Sequence, residues 1–301
     1  MRKPCKTAST NISLELVGNT SKKLVPAGHE MIHKILTKAA ALKDEVVVVK
    51  IPSEIINNDY LLNQFLRNMM MLHSSGVRLV MVHDYDVVDH IADLFGFDVK
   101  AAKQNQMSDF KSSKIVEMML SGYINRKIVS MLCDMGCETL GISGKDCNTI
   151  RATQKVSKIS SDNLINIGFV AEPTMINPEI LLGFMDSDVA LVVSPIASCD
   201  NGSTCVIDTN ITAAIIAAAL SAKYLILPSK NPNIDGAGIV FTDMDKMYMR
   251  QMKLDPKSSE SFKAILDTAI SAIDNYVEYV CVLDSANPEN IVEQIFMEKH
   301  K

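Results

Sequence analysis

The chain has 301 residues, a formal net charge of −5, 48% hydrophobic residues and 22% charged residues. That is enough length to bury a sizeable core, it lacks the basic surplus of a nucleic-acid binder, and no apolar run approaches the roughly 18 to 20 residues of a membrane span. Seven cysteines, scattered without paired metal-ligand spacing, read as reduced thiols in an intracellular protein.

In chain order, residues 1–27 are basic and polar without a continuous apolar core and read as a flexible leader, with organelle import as the alternative. Residues 29–42 have a helical pattern. Their start, HEMIH (29–33), matches H-E-x-x-H, but His73, His83, His90 and His300 offer no obvious third zinc ligand, so no metal site is assigned. Strand Val46–Ile51 precedes an amphipathic helix over Asp59–His73 and a second strand over Val77–Val82. A helix at about 86–95 and a long one at about 109–134, with Ser108 as N-cap, come next. After a strand near Cys137–Ile142 and the turn Gly144-Lys145-Asp146, residues 149–174 read as surface hairpins. The alternation resumes with a short helix in NPEILLGFM, strand 188–194, a turn at SCDNGS, helix 208–221 and strand Tyr224–Leu227. A helix at 258–274, strand Tyr279–Leu283 and a last helix opened by NPEN complete it. Continuous apolar strands alternating with helices predict a mainly parallel sheet covered on both faces, with a boundary near 185 dividing two lobes.

Ligands of such sheets gather at the C-terminal strand ends. The first strand, VVVVKIPS (46–53), delivers Lys50 to that edge, as a phosphate-binding strand would. The following turn is Pro52-Ser53, where a phosphate cradle would use glycine and its backbone N–H groups. The next strand end adds His83, Asp84, Tyr85 and Asp86. Lys50 is expected to pair with Asp84 or Asp86, and His83 to be a hydrogen-bonded strand-end residue.

Four stretches carry a resemblance: IVEMMLSGYINRKIVSML (115–132), LGISGKDCNTIRA (140–152), IGFVAEPTMINPEIL (167–181) and ITAAIIAAALSAKYLIL (211–227). In order and spacing they resemble the acetylglutamate kinases of the amino-acid kinase superfamily, from about residue 28 nearly to the C-terminus. The resemblance implies an α/β three-layer αβα sandwich with a mainly parallel open sheet. It implies an N-lobe (28–185) for the amino-acid substrate and dimerisation, and a C-lobe (186–301) for the nucleotide. The family activity is phosphorylation of the γ-carboxylate of N-acetyl-L-glutamate by MgATP, a step of arginine biosynthesis.

Carried over residue by residue, Lys50 matches the family's first catalytic lysine, but Pro52 and Ser53 replace its glycines. His83 matches, while Asp84, Tyr85 and Asp86 replace the three glycines after it. Gln106 stands at the substrate arginine, Val206 at a substrate asparagine and Asn210 at the organising aspartate. Asp208 lies two residues from that position. Ser229 and Lys230 fall in the nucleotide segment, with Lys230 where the family has aspartate. Ile265 takes the second lysine's place unless a small gap admits Lys263.

Two function readings follow. One is a catalytically impaired pseudokinase kept for binding, regulation or assembly. The other is an active acetylglutamate or related amino-acid or small-acid kinase with a rebuilt site and MgATP as co-substrate. The resemblance further implies a cytoplasmic homo-oligomer, a dimer or, through helix 29–42, a hexamer, with an active paralogue as a further possible partner and no nucleic-acid or membrane partner.

Overall fold

The computed structural model describes residues 36–86, 88, 110–154, 170–200, 202–229, 238–286 and 291. The leader, HEMIH, Ser108, Gln106, Lys230, most of the helix expected at 86–95 and nearly all of the last helix lie outside the described residues.

Seven strands form the central sheet: β1 (Val46–Ile51), β2 (Arg78–His83), β3 (Thr139–Ser143), β6 (Ala190–Ser194), β9 (Tyr224–Ser229), β10 (Ile239–Phe241) and β11 (Tyr279–Asp284). Their order is β10-β11-β9-β1-β2-β6-β3. All pairs are parallel except β10 with β11 at one edge. The mainly parallel sheet therefore stands as expected.

Side-chain alternation on β1 explains the layers. Val46 and Val48 pack with α4 (Thr209–Ala219) and α6 (Glu260–Asp274). Val47, Val49 and Ile51 pack on the opposite face with α1 (Asp59–Ser74) and α2. Helix α2 runs through Phe110–Glu117, a π-helical segment Met118–Ile124, and Asn125–Asp134. Burial of every β1 residue is what a strand covered on both sides requires. Polar side chains start the helices: Asn58 accepts from the Tyr60 and Leu61 amides, and Ser259 from Phe262.

The region expected as surface hairpins is organised differently. Strand β4 (Ile150–Gln154) pairs antiparallel with β5 (Val170–Ile176), but both also join β7 (Ile196–Cys199) and β8 (Thr204–Ile207) in a closed four-stranded barrel. Ile150, Ala152 and Ala171 are buried there, so this segment is core. The SCDNGS turn is the tip of the β7–β8 hairpin, where Gly202 takes φ +78°, a left-handed conformation glycine adopts without strain. That hairpin also corrects the cysteine reading: Cys199 and Cys205 are joined as a disulfide, while Cys133, Cys137, Cys147 and Cys281 are outside any disulfide. Besides α3 (Pro178–Met185), which the sequence anticipated, β10 and α5 (Lys246–Leu254) are additions to the expected order. Among the described residues, no helix is long and apolar enough to cross a membrane.

Candidate functional site

The turn after β1 decides what Lys50 can meet. Pro52 is the N-cap residue of a single helical turn, Ser53–Ile56, and its carbonyl accepts from the Ile55 and Ile56 amides. Pro52 itself has no N–H to offer, where a glycine at this place in a cradle would turn one toward a ligand. Glu54 in the same turn accepts from the Ser285 hydroxyl at 2.8 Å, tying it to the end of β11.

Lys50 follows Val46 and Val48 on the α4 face by the two-residue period of the strand. Its Nζ lies 3.0 Å from Asp84 Oδ2, and the two side chains are only 10% and 8% exposed. The other carboxylate oxygen, Asp84 Oδ1, accepts from the Tyr85 amide at 2.8 Å and the Thr209 hydroxyl at 3.1 Å. The expected pairing of Lys50 is therefore with Asp84, and three elements converge on one carboxylate.

Thr209 was not singled out in the sequence, although it stands between two candidates. Consecutive helical residues point about 100° apart, so α4 turns Thr209 inward to Asp84 and its neighbours elsewhere. Asp208 is the N-cap of α4, accepting from the Ile211 amide at 2.9 Å. Asp208 and Asn210 both line a cavity of about 870 Å³ between α4, α6 and β5, with Glu172, Asp267 and Tyr276 also on its wall. Asn210 Oδ1 is buried there without a hydrogen-bond partner among the described residues. Val206 is buried in β8 of the barrel. Tyr85 is half-buried, and burial, then the charges of Asp86, Asp208 and Asp84, raise its phenol pKa above the usual tyrosine range.

His83 does not join this group. It continues Leu79 and Met81 on the α1/α2 face, one step out of phase with Lys50. Its Nδ1 lies 3.1 Å from the Asp84 carbonyl oxygen, to which it donates when it carries the proton. Nε2 is buried and has no hydrogen-bond partner among the described residues. Burial lowers the His83 pKa to about 4, against the opposing pull of the Asp84 carbonyl, the Asp84 charge and the Leu120 backbone. Nearby on this face, Ser194 at the end of β6 shares a 2.9 Å hydrogen bond with Ser121 of the π-helical segment. Asn125 donates to the Val192 carbonyl at 2.9 Å and accepts from Arg126, which also donates to the Gly141 carbonyl. A Cβ added at Gly141 would overlap Asn125 Oδ1 and the Arg126 guanidinium, so a larger residue there would displace both side chains.

The remaining candidates are apart from both groups. Ser229 is buried at the end of β9, its carbonyl accepting from the Ser285 amide at 3.1 Å. Lys263, in the first turn of α6, pairs with Glu260 at 2.8 Å. Ile265 is buried in the core.

A parallel sheet with helices on both faces, a lysine at the end of its first strand and the matching order of strand-end segments can be set beside known proteins. The amino acid kinase family model matches residues 45–284.

The chain belongs to the amino acid kinase family.

Within that family it is distantly related to acetylglutamate kinases. The enzyme of Ruegeria pomeroyi is 29% identical over 258 residues, covering 85% of this chain and 87% of its own length. That of Archaeoglobus fulgidus is 28% identical over 280 residues, covering 89% and 95%. Among solved structures, the N-acetylglutamate synthase of Neisseria gonorrhoeae, complexed with coenzyme A and N-acetyl-glutamate, superposes with a TM-score of 0.67 at 15% identity. The match covers 89% of this chain but 61% of that longer protein, and it speaks for the fold alone. Lys50, His83, Asp84 and Ser229 lie at or beside the C-terminal ends of β1, β2 and β9, the edge where α/β sheets bind ligands.

Proposed function

We propose that this chain is an acetylglutamate-kinase-like protein with impaired catalysis, kept for binding, regulation or assembly. The observation that carries this reading is the buried Lys50–Asp84 pair at 3.0 Å. Phosphoryl transfer rests on positioning and on neutralising the charge of the transferred group. Asp84 sets a carboxylate beside Lys50 where the resemblance expects a glycine, and its charge opposes that of an incoming phosphoryl group. The turn after β1, closed by Pro52, supports the same conclusion, as does an amide at 210 where the resemblance expects an aspartate.

Of the two lysines the resemblance assigns to phosphate, Lys50 is held by Asp84 in a buried pair, and the position of the second is Ile265 unless a small gap admits Lys263. Removing one preorganised contact of this kind typically lowers turnover about 100- to 1000-fold, and several are replaced together here.

Assembly belongs to the same reading. Met118 and Tyr123 on the π-helical segment of α2 are 61% and 43% exposed, large apolar groups on the lobe through which the family dimerises. A cytoplasmic homodimer, or a hexamer built with the segment 29–42, is the assembly proposed, with an active paralogue as a further partner. Titration calorimetry with MgATP, N-acetyl-L-glutamate and L-arginine, with light scattering on the same sample, tests the whole reading. It requires an oligomeric mass and no saturable MgATP heat. A monomer at micromolar concentration overturns the assembly part, and tight MgATP binding overturns the impairment.

A further inference from the structure

We propose that the donors around Asp84 form an oxyanion site that the chain fills with its own carboxylate. The inference rests on the impaired-kinase reading and gives it a physical cause. Three donors meet at this point: the Lys50 ammonium from β1, the Tyr85 amide from the loop after β2 and the Thr209 hydroxyl from α4. One positive charge, one backbone N–H and one hydroxyl, all on buried or half-buried residues, make a donor set for a carboxylate or a phosphate oxygen.

Asp84 occupies this set completely. Its Oδ2 takes the ammonium, and its Oδ1 takes the amide and the hydroxyl. The Asp84 amide also donates to the Ile51 carbonyl at 2.9 Å, which holds its backbone beside Lys50. A tethered carboxylate acts at a high effective concentration that a free anion in solution does not match. The wild-type site is therefore closed to small anions. A ligand that reaches Lys50 with a carboxylate or phosphate must displace Asp84, and doing so releases Thr209 and the start of α4. The ligand class is a small oxyanion, and the contact acts as an internal competitor for it.

Asp84→Gly vacates the volume of an acetate ion and leaves the three donors facing it. The test compares wild type, Asp84→Gly and the double variant Lys50→Met/Asp84→Gly by thermal unfolding in sodium acetate, sodium phosphate and sodium chloride of equal ionic strength. Acetate or phosphate should raise the midpoint of Asp84→Gly by about 3 °C or more over chloride, and the larger rise identifies the preferred oxyanion. Wild type and the double variant should show no anion-specific rise. If Asp84→Gly is unfolded in chloride, recovery of its far-ultraviolet circular dichroism by acetate or phosphate is the supporting result. No rescue by either anion, equal rescue of the double variant, or a matching rise in wild type overturns the proposal. Turnover of wild type with MgATP is measured separately. A failed rescue with an inactive wild type removes the oxyanion site alone, whereas an active wild type removes the impaired-kinase reading.

Discussion

The two faces of the sheet end differently at the same edge. On the α4 face, Lys50, Asp84 and Thr209 form a charged group in which both carboxylate oxygens are engaged. On the α1/α2 face, His83, Ser121, Ser194 and Asn125 are neutral, and among the described residues His83 Nε2 has no hydrogen-bond partner. Both sets are buried, and they are one residue out of phase on adjacent strands. A buried charge is tolerated when every atom around it is answered, whereas a buried neutral ring can leave one acceptor unanswered at smaller cost.

The largest way to break this comparison is to remove one charge from the α4 face. Lys50→Met leaves Asp84 buried without its counter-ion and should lower stability by about 3 to 5 kcal/mol, read from urea unfolding. Lys50→Met/Asp84→Leu removes both charges and should recover most of that loss.

The α1/α2 face responds to acid instead. The His83 pKa is lowered to about 4 in the folded chain, against about 6.5 in an unfolded one. Between those values the unfolded chain binds the extra proton, so stability falls as pH drops through that window. The full contribution is present above about pH 6.5, and roughly 3 kcal/mol of it is gone near pH 4. His83→Leu should lack this component, and the difference between the two pH profiles isolates it from carboxylate titration.

Smaller changes sharpen the contrast. Ser194→Ala leaves the Ser121 hydroxyl without its 2.9 Å partner and should cost about 1 kcal/mol, measured by the same unfolding. Lys263→Ala removes a pair in which Glu260 is 90% exposed, and should change stability by less than about 0.5 kcal/mol. A larger effect there would mean that Lys263 acts outside its own helix.

Much of this architecture was legible in the sequence because it rests on local patterns. The apolar run Val46–Val49 marks β1 as buried on both faces, and the Ala- and Ile-rich run after Asp208 marks α4. Lys50 near the end of β1 and the acidic residues after β2 narrowed its partner to Asp84 or Asp86, and the structure gives Asp84. The barrel was not legible: β7 and β8 have four residues each, and their partners β4 and β5 are distant in sequence. Local alternation says nothing about such pairings. The π-helical segment has no separate residue period and was read as ordinary helix. The Cys199–Cys205 contact comes from the hairpin register and not from a spacing rule. Thr209 was missed because a hydroxyl at the start of a helix is common, and only the Asp84 contact gives it a role.

The central claim is that the chain's own Asp84 has taken the place at Lys50 that phosphoryl transfer would need. The most direct test is a turnover assay of the purified protein with MgATP and N-acetyl-L-glutamate, run beside Lys50→Ala. The account predicts no acyl-phosphate product above the background shared by both proteins. Turnover by the wild type that Lys50→Ala abolishes would contradict it.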